Sequence, residues 1–361
     1  MSNKPKLRFK EFNDSIVECR IENVLKIKHG KDQKAIECKD GIYPILATSG
    51  EIGRTNTYLW NKPCVLIGRK GTINKPQYMD TPFWTVDTLF YSDVNSSNNA
   101  KYLYYLFNTI NWKRYDESTG VPSLSAKTVE RIKVIITNNK DEQKKIAEFL
   151  SKVDEVISER EEEVKDLEQQ KKGLMQKIFS QELRFTDSNN NPYPDWEDTI
   201  LGNIYDFKYG QYNNNPDNGG QYPIYGANGI IGGYTEYNAE NSVIIGHMGA
   251  YAGSVLFEKE KHFVTYNGTI TIPKSNVVLD SKYGYYLLLN LNIRRICDGS
   301  GQPFLSYDTL NRIKIKTSKI NEEQQKIAKV LSKLDELIEE KKALLSDWQS
   351  FKKGLLQQMF V

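Results

Sequence analysis

A chain of 361 residues is long enough for two ordinary domains, each burying its own core. Its 39% hydrophobic and 26% charged residues, with no apolar run of membrane-spanning length and a basic, polar start over Met1–Lys10, exclude a membrane protein and point to the cytoplasm. Cys19, Cys38, Cys64 and Cys297 stand at unrelated spacings and read as reduced thiols, and the three histidines lack metal-ligand spacing, so no zinc site is expected.

Taken in chain order, the predicted elements run through one succession twice. Residues 1–140 carry short Val, Ile, Tyr, Phe and Thr runs broken by Gly, Asn and Pro, such as Cys64–Ile67 and Trp84–Tyr91, which predict strands. A short helix is predicted at Lys101–Thr109, then one long helix over 141–182. Residues 183–320 return to strands, among them Ser242–Ile245 and Thr269–Ile272, with a short helix at Tyr283–Leu291. A second long helix over 321–361 closes the chain.

The succession is a duplication with a period of about 180 residues, far longer than a solenoid repeat. Asp141–Phe179 returns as Glu322–Phe360 with roughly half the positions identical, and GVPSLSAKTVERIKV (Gly120–Val134) returns as GQPFLSYDTLNRIKI (Gly301–Ile315). Upstream, YPILATSGEIG (Tyr43–Gly53) matches YPIYGANGIIG (Tyr222–Gly232), and VLIGRKGT (Val65–Thr72) matches VIIGHMGA (Val243–Ala250). The blocks keep their order in both halves.

Each long helix carries a heptad. Ile146, Leu150, Val153, Ile157, Val164, Leu167, Leu174 and Ile178 follow three- and four-residue steps, as do Ile327, Leu331, Leu334, Ile338, Leu345, Trp348, Leu355 and Met359. That step favours a coiled coil over a helix lying on a sheet. Arg160 with Lys171, and Lys341 with Lys352, interrupt the stripe at matching places. Asp141-Glu142 and Glu322-Glu323 form the acidic first turn that the helix dipole prefers. Each helix, at about 1.5 Å per residue, would be ~60 Å long, and antiparallel pairing would put one module at each end of a rod. The net charge is +3 overall, but −3 over Asp141–Ser180 and zero over Asn321–Val361, so the modules hold a basic excess of +6. Nucleic-acid binding and an uneven surface without function both account for that excess.

The E-Q-x-K-I-A…L-S-K-[LV]-D-E…K-K-G-L-[LM]-Q blocks, the entry Trp196–Ile204, the G-x-x-G turns Gly68–Gly71 and Gly246–Gly249, and the G-x-P-x-L-S segments together resemble the DNA-specificity subunit of Type I restriction–modification enzymes. The likeness covers essentially the whole chain. It departs at Ser15–Val24, which lacks the Trp and Gly of the second module's entry. The resemblance implies an α+β fold: two β-rich mixed α/β target-recognition domains separated by a pair of long antiparallel coiled-coil helices, an internal duplication with pseudo-two-fold symmetry. It further implies that each module reads one half of a bipartite double-stranded DNA target, with the helices setting the gap. Two methyltransferase subunits would dock on the chain and restriction/translocase subunits on that core. S-adenosylmethionine, ATP and magnesium would sit on those partners, none on this chain.

Missing motifs agree with a non-catalytic chain. There is no G-x-x-x-x-G-K-[ST] loop and no glycine-rich cofactor loop after a first strand. Asn191-Pro192-Tyr193-Pro194 has the wrong order for the N-P-P-Y of adenine methyltransferases and reads as a proline-stiffened linker within Asp187–Asp195. Neither Asp217 nor Glu258 beside Lys259 forms a nuclease-like cluster, and Ser123, Ser125 and Ser306 have no His/Asp partner at a suggestive place.

Sequence readout needs side chains that fork onto base edges and cations on phosphates. In the first module Arg69 and Lys70 sit within a glycine turn, followed by Thr72 and Lys75; the matching turn of the second holds His247 and Met248, with Tyr251 after it. Lys113 with Arg114, and Arg294 with Arg295, follow the short helices as phosphate contacts. Gln211, Tyr212, the Asn213–Asn215 run and Gln302 could offer hydrogen bonds to bases. Ordinary turns and solvated charge remain the other reading of each. Lys171, Lys172, Lys352 and Lys353 read as solvated, or as contacts to a partner subunit. The rival to DNA reading is a coiled-coil assembly scaffold with protein- or ligand-binding modules.

Overall fold

Runs of β-branched and aromatic residues become strands where one face can be buried, and in this chain they do so twice in the same topology. The computed structural model describes residues 5–212, 217–297, 299 and 302–360. They form two units, 1–162 with 343–361, and 163–342.

The first unit contains β1 (Ile16–Arg20), β2 (Leu25–Lys28), β3 (Tyr43–Ala47), β4 (Gly50–Thr55), β5 (Cys64–Gly68), β6 (Gln77–Met79), β7 (Trp84–Thr85), β8 (Leu89–Val94), α1 (Ala100–Phe107), α2 (Ala126–Arg131), β9 (Lys133–Thr137) and the first part of α3 (Lys140–Phe179). Its sheets are the ribbon β1-β9, a four-stranded sheet β2-β8-β5-β6 and a three-stranded sheet β4-β3-β7. The second unit contains the rest of α3, β10 (Glu197–Ile200), α4 (Leu201–Ile204), β11 (Tyr205–Tyr209), β12 (Tyr222–Gly226), β13 (Gly229–Tyr234), β14 (Ser242–Gly246), β15 (Val255–Glu258), β16 (Phe263–Val264), β17 (Gly268–Pro273), α5 (Ser281–Asn290), α6 (Tyr307–Arg312), β18 (Lys314–Thr317) and the first part of α7 (Asn321–Met359), whose end belongs to the first unit. Its sheets are β10-β18, β11-β17-β14-β15 and β13-β12-β16. Even the register shift in the β3–β4 hairpin at Ile45/Leu46 returns at Ile224/Tyr225 between β12 and β13.

One predicted strand is two. Trp84–Tyr91 breaks at Val86–Thr88, because Thr85 is a corner: its buried hydroxyl lies within hydrogen-bond reach of the carbonyl oxygens of Leu46 (3.1 Å) and Leu89 (3.2 Å), either of which can accept its one proton. The chain thereby leaves the β3 sheet for the β5 sheet.

The heptad stripe serves two neighbours. Ile146, Ala147, Leu150 and Val153 of α3 are buried in one core with Leu103, Tyr105 and Leu106 of α1, and Leu355 and Met359 from the end of α7 close that core. In the second unit Ile327, Ala328 and Leu331 of α7 join Tyr286, Leu287 and Leu288 of α5, closed by Met175 and Ile178 of α3. The helices therefore lie against each module's own short helix as well as against each other. Within the first unit they run antiparallel, with Lys352 Nζ 2.5 Å from Asp154 and Gln349 donating to Glu161 at 3.2 Å. The second unit repeats this with Lys341–Glu163 (2.7 Å), Lys342–Glu168 (2.9 Å) and the Lys171–Asp335 pair.

The repeated polar residues are pins. Asp154 accepts the Tyr105 hydroxyl at 2.8 Å and Asp335 that of Tyr286 at 2.6 Å, so each carboxylate joins its module to the facing helix's lysine. Lys171 and Lys352, which read as solvated in the sequence, are thus internal partners and lie over the rings of Tyr286 and Tyr105. Glu142 and Glu323 do more than suit a helix dipole: both are buried, Glu142 gripped by Arg8 at 2.6 and 2.8 Å, Glu323 by Arg184 and by the Trp196 indole N–H at 3.0 Å. Gln143 and Gln324, fully buried, each donate to the backbone preceding their helix (Thr137 O, 2.8 Å; Ser318 O, 2.7 Å) and accept a backbone N–H. An unpaired buried polar group is costly, which explains why this E-Q pair cannot drift.

The Asp187–Asp195 segment is folded rather than a free linker. Asp187 accepts the N–H groups of Asn189 and Asn191, and Tyr193 is buried with its hydroxyl 2.8 Å from Lys326 Nζ. No helix among the described residues is long and apolar enough to cross a membrane.

Candidate nucleic-acid interface

In both units the glycine turn after the central strand meets the G-x-P-x-L-S segment. In the first, Gly71 N–H donates to Pro122 O (2.8 Å) and Leu124 N–H to Arg69 O (2.8 Å). In the second, Gly249 N–H donates to Pro303 O (2.8 Å) and Leu305 N–H to His247 O (2.8 Å). The serines closing these segments are helix caps: Ser125 Oγ accepts Thr128 N–H at 3.1 Å, and Ser306 Oγ accepts Thr309 N–H at 3.0 Å. The tip of the β3–β4 hairpin leans on the turn, with Thr48 Oγ1 donating to Lys70 O at 3.2 Å; in the second unit Ser254 Oγ reaches Ala227 O at 2.5 Å.

Around the first turn lies a cleft of about 490 Å³ lined by His29, Arg69, Lys70, Asp87, Glu117 and Ala126, among others. Arg69 is held on both main-chain groups, its N–H donating to Thr88 O at 2.8 Å, and its Nη1 pairs with the Asp87 carboxylate. Thr72 completes the turn behind Gly68, where an added Cβ would stand 2.0 Å from Thr72 O; only glycine fits there. Lys113 and Arg114 are exposed on a short 3-10 helix, Trp112–Tyr115. That helix runs into Asp116, whose carboxylate accepts the N–H groups of Ser123 (2.9 Å) and Ser118 (3.0 Å) and is held below the usual range by them. The basic pair is thereby tied to the segment that braces Arg69. Lys75 is exposed on the loop before β6.

The second unit fills the matching place with rings. By strand register Tyr209 stands where the first unit has His29, His247 where it has Arg69, and Tyr266 where it has Asp87, while Tyr307 follows the capping serine as Ala126 does. Tyr307 stacks on Tyr209 with centroids 3.9 Å apart, and Tyr209 lies 4.0 Å from the His247 ring. Burial pushes both tyrosine hydroxyls up. His247 Nδ1 lies 2.9 Å from Leu305 O. Gln211 N–H donates to Val264 O (2.9 Å) and its O accepts Tyr266 N–H (3.1 Å), which places exposed Gln211 and Tyr212 beside this stack. Tyr251 is exposed in the following turn, whose Gly253 packs against the backbone of Arg294. Arg295 instead lines a separate cleft of about 760 Å³ with Lys171, Lys172, Asp335 and Lys342. Gln302 is exposed next to Pro303; the Asn213–Asn215 run and Gly301 lie outside the described residues.

His29, Asp87, Tyr209, Tyr266 and Tyr307 were not singled out by sequence. The signal available was indirect: each occupies a repeat-equivalent position at which the two halves differ in chemistry. Among the described residues no cluster of His, Cys, Asp or Glu could hold a metal ion.

The model of the Type I restriction modification DNA specificity domain matches residues 13–169 and again 193–346. A putative type I specificity subunit of Mycoplasma genitalium is 24% identical over 250 residues, 67% of this chain and 65% of that protein, so the match spans just under two thirds of the relative's length. The crystal structure of a Type I restriction-modification system S subunit from M. genitalium superposes with a TM-score of 0.71 at 21% identity, over 99% of both chains. A structure describing complex assembly and conformational transition of the type I R-M system gives 0.55 at 14% identity, over 96% of this chain and 97% of the other. The likeness in fold and the doubled match agree with the doubled topology described above: the chain belongs to the Type I restriction–modification DNA specificity family.

Proposed function

We propose that this chain is the sequence-specific, non-catalytic DNA-binding subunit of a type I restriction–modification complex. Each unit reads one half of a bipartite duplex target through its glycine turn and the segment braced against it. The observation that carries this reading is the turn itself: one backbone frame, built twice, presents different side chains at equivalent points. A frame that holds its main chain while its tips diverge is suited to reading two different half-sites. Arg69, Lys70, Thr72, Gln211, Tyr212, His247, Tyr251 and Gln302 would face bases or their flanking phosphates, and Lys75, Lys113, Arg114, Arg294 and Arg295 the phosphates.

The paired helices α3 and α7 would set the gap between half-sites and dock two methyltransferase subunits, with restriction/translocase subunits joining that core. S-adenosylmethionine, ATP and magnesium would be bound by those partners. The test is the methylation pattern of cells making this chain with its partner subunits. A two-part motif of fixed gap is expected, and one extra heptad inserted at matching points of both helices should change the gap while leaving both half-sites intact. Methylation without a preferred motif, or a gap indifferent to the insertion, would overturn the reading or its spacing element respectively.

A further inference from the structure

We propose that Arg69 reads a guanine in the half-site of the first unit, with Asp87 as its positioning residue, and that the second unit makes no equivalent contact. The proposal rests on the DNA-reading function above and names the base.

Three observations carry it. Both contacts of the Arg69 guanidinium use Nη1: the Asp87 carboxylate and, at 3.2 Å, the Asp87 carbonyl oxygen. Among the described residues Nη2 and Nε have no partner. That free edge carries two parallel N–H groups, the fork that matches the O6 and N7 acceptors of guanine in the major groove; adenine offers a donor in place of O6 and repels it. The main chain is also preset, since Arg69 donates to Thr88 and accepts from Leu124, so the side chain leaves a fixed Cα.

The cleft's charge separates this from a phosphate contact. Asp87 and Glu117 line it together with Arg69 and Lys70, and a phosphate entering it would meet two carboxylates, whereas a base edge carries no net charge. The pair itself adds little to stability, because Arg69 and Asp87 side chains are 36% and 68% exposed. Its consequence is orientation: a guanidinium held by one edge loses less freedom when the other edge binds. In the second unit His247 and Tyr266 stand at the two positions and Tyr209 and Tyr307 fill the space, so no guanidinium fork is available there.

The experiment uses the full chain, with its partner subunits, on its selected duplex. Each guanine in turn is replaced by 7-deazaguanine, which removes the N7 acceptor and keeps base pairing. The wild-type complex should lose roughly tenfold or more in affinity at one guanine of one half-site. Arg69→Ala should become insensitive to 7-deazaguanine at that position alone, accept other bases there, and keep its preference in the other half-site. Asp87→Asn should lower discrimination at the same base only. Tolerance of 7-deazaguanine at every position by the wild type overturns the proposal without any variant having to fold. So does equal weakening of Arg69→Ala on all sequences, which would mark a phosphate contact. No preferred duplex at all would instead sink the DNA-reading function beneath it.

Discussion

The two units share a frame and differ in its hollow. The first leaves a charged cleft where Ala126 stands behind Arg69; the second plugs the same place with Tyr307 on Tyr209 on His247. Residues that hold the frame are the same in both: a buried glutamate gripped by an arginine, a buried glutamine tied to the backbone, an aspartate joining tyrosine to lysine. What duplication preserves is therefore the set of groups whose loss strands a buried partner, and what it releases is the surface that nothing internal depends on.

The sharpest way to break this equivalence is at the buried glutamates. Glu142→Ala leaves Arg8 without its carboxylate, and Glu323→Ala leaves the Trp196 indole N–H without an acceptor while Arg184 keeps Asp195 and the carbonyls of Tyr193 and Pro194; each should cost about 2–3 kcal/mol in denaturant unfolding. If one variant unfolds easily and the other is neutral, the pins are not equivalent. Tyr307→Ala tests the hollow: it removes the stack on Tyr209 for roughly 1 kcal/mol, opens a cleft like that of the first unit, and should relax one half-site of the methylation motif only. A change in both half-sites would show that the rings support the whole chain instead.

The smallest effect is a difference in acid. His262 is fully buried beside β16, its Nε2 3.1 Å from Ser242 Oγ and its Nδ1 2.7 Å from Glu260 O, where the first unit has Phe83. Burial lowers its pKa, against the pull of the Glu260 carbonyl and of Glu258 and Glu240. The folded state then binds fewer protons than the unfolded one, so stability is full above about pH 6.5 and falls as pH drops towards the depressed value. Hydrogen exchange between pH 7 and 5 should loosen β12, β13 and β16 but not β3, β4 and β7, and His262→Phe should abolish the difference.

Much of this was legible in the sequence. The heptads, the repeat order and the short helices all emerge from local pattern, and α1 and α5 lie close to the residues predicted for them. The corner at Val86–Thr88 was not, because Thr85 is an ordinary strand residue until its hydroxyl finds Leu46 and Leu89. The repeat Leu7-Arg8-Phe9 and Leu183-Arg184-Phe185 also escaped: three residues are too few to stand out, and the spacing to the following strand differs between halves. The cleft is the extreme case. Residues 29, 69, 87 and 126 meet only through the sheet register, so composition and turn chemistry reached Arg69 and Lys70 but not the carboxylate that aims the arginine.

Those L-R-F segments have one more consequence. Leu183 N–H donates to Lys177 O at 2.9 Å, at the C-terminal end of α3; Leu7 N–H donates to Gln358 O at the same 2.9 Å, at the C-terminal end of α7. The first junction is covalent, the second is the same hydrogen bond without the peptide between. One backbone hydrogen bond thus docks an L-R-F segment on a helix end in each unit, between residues six apart in sequence in the second unit and 351 apart in the first, so only in the first does it close a long loop.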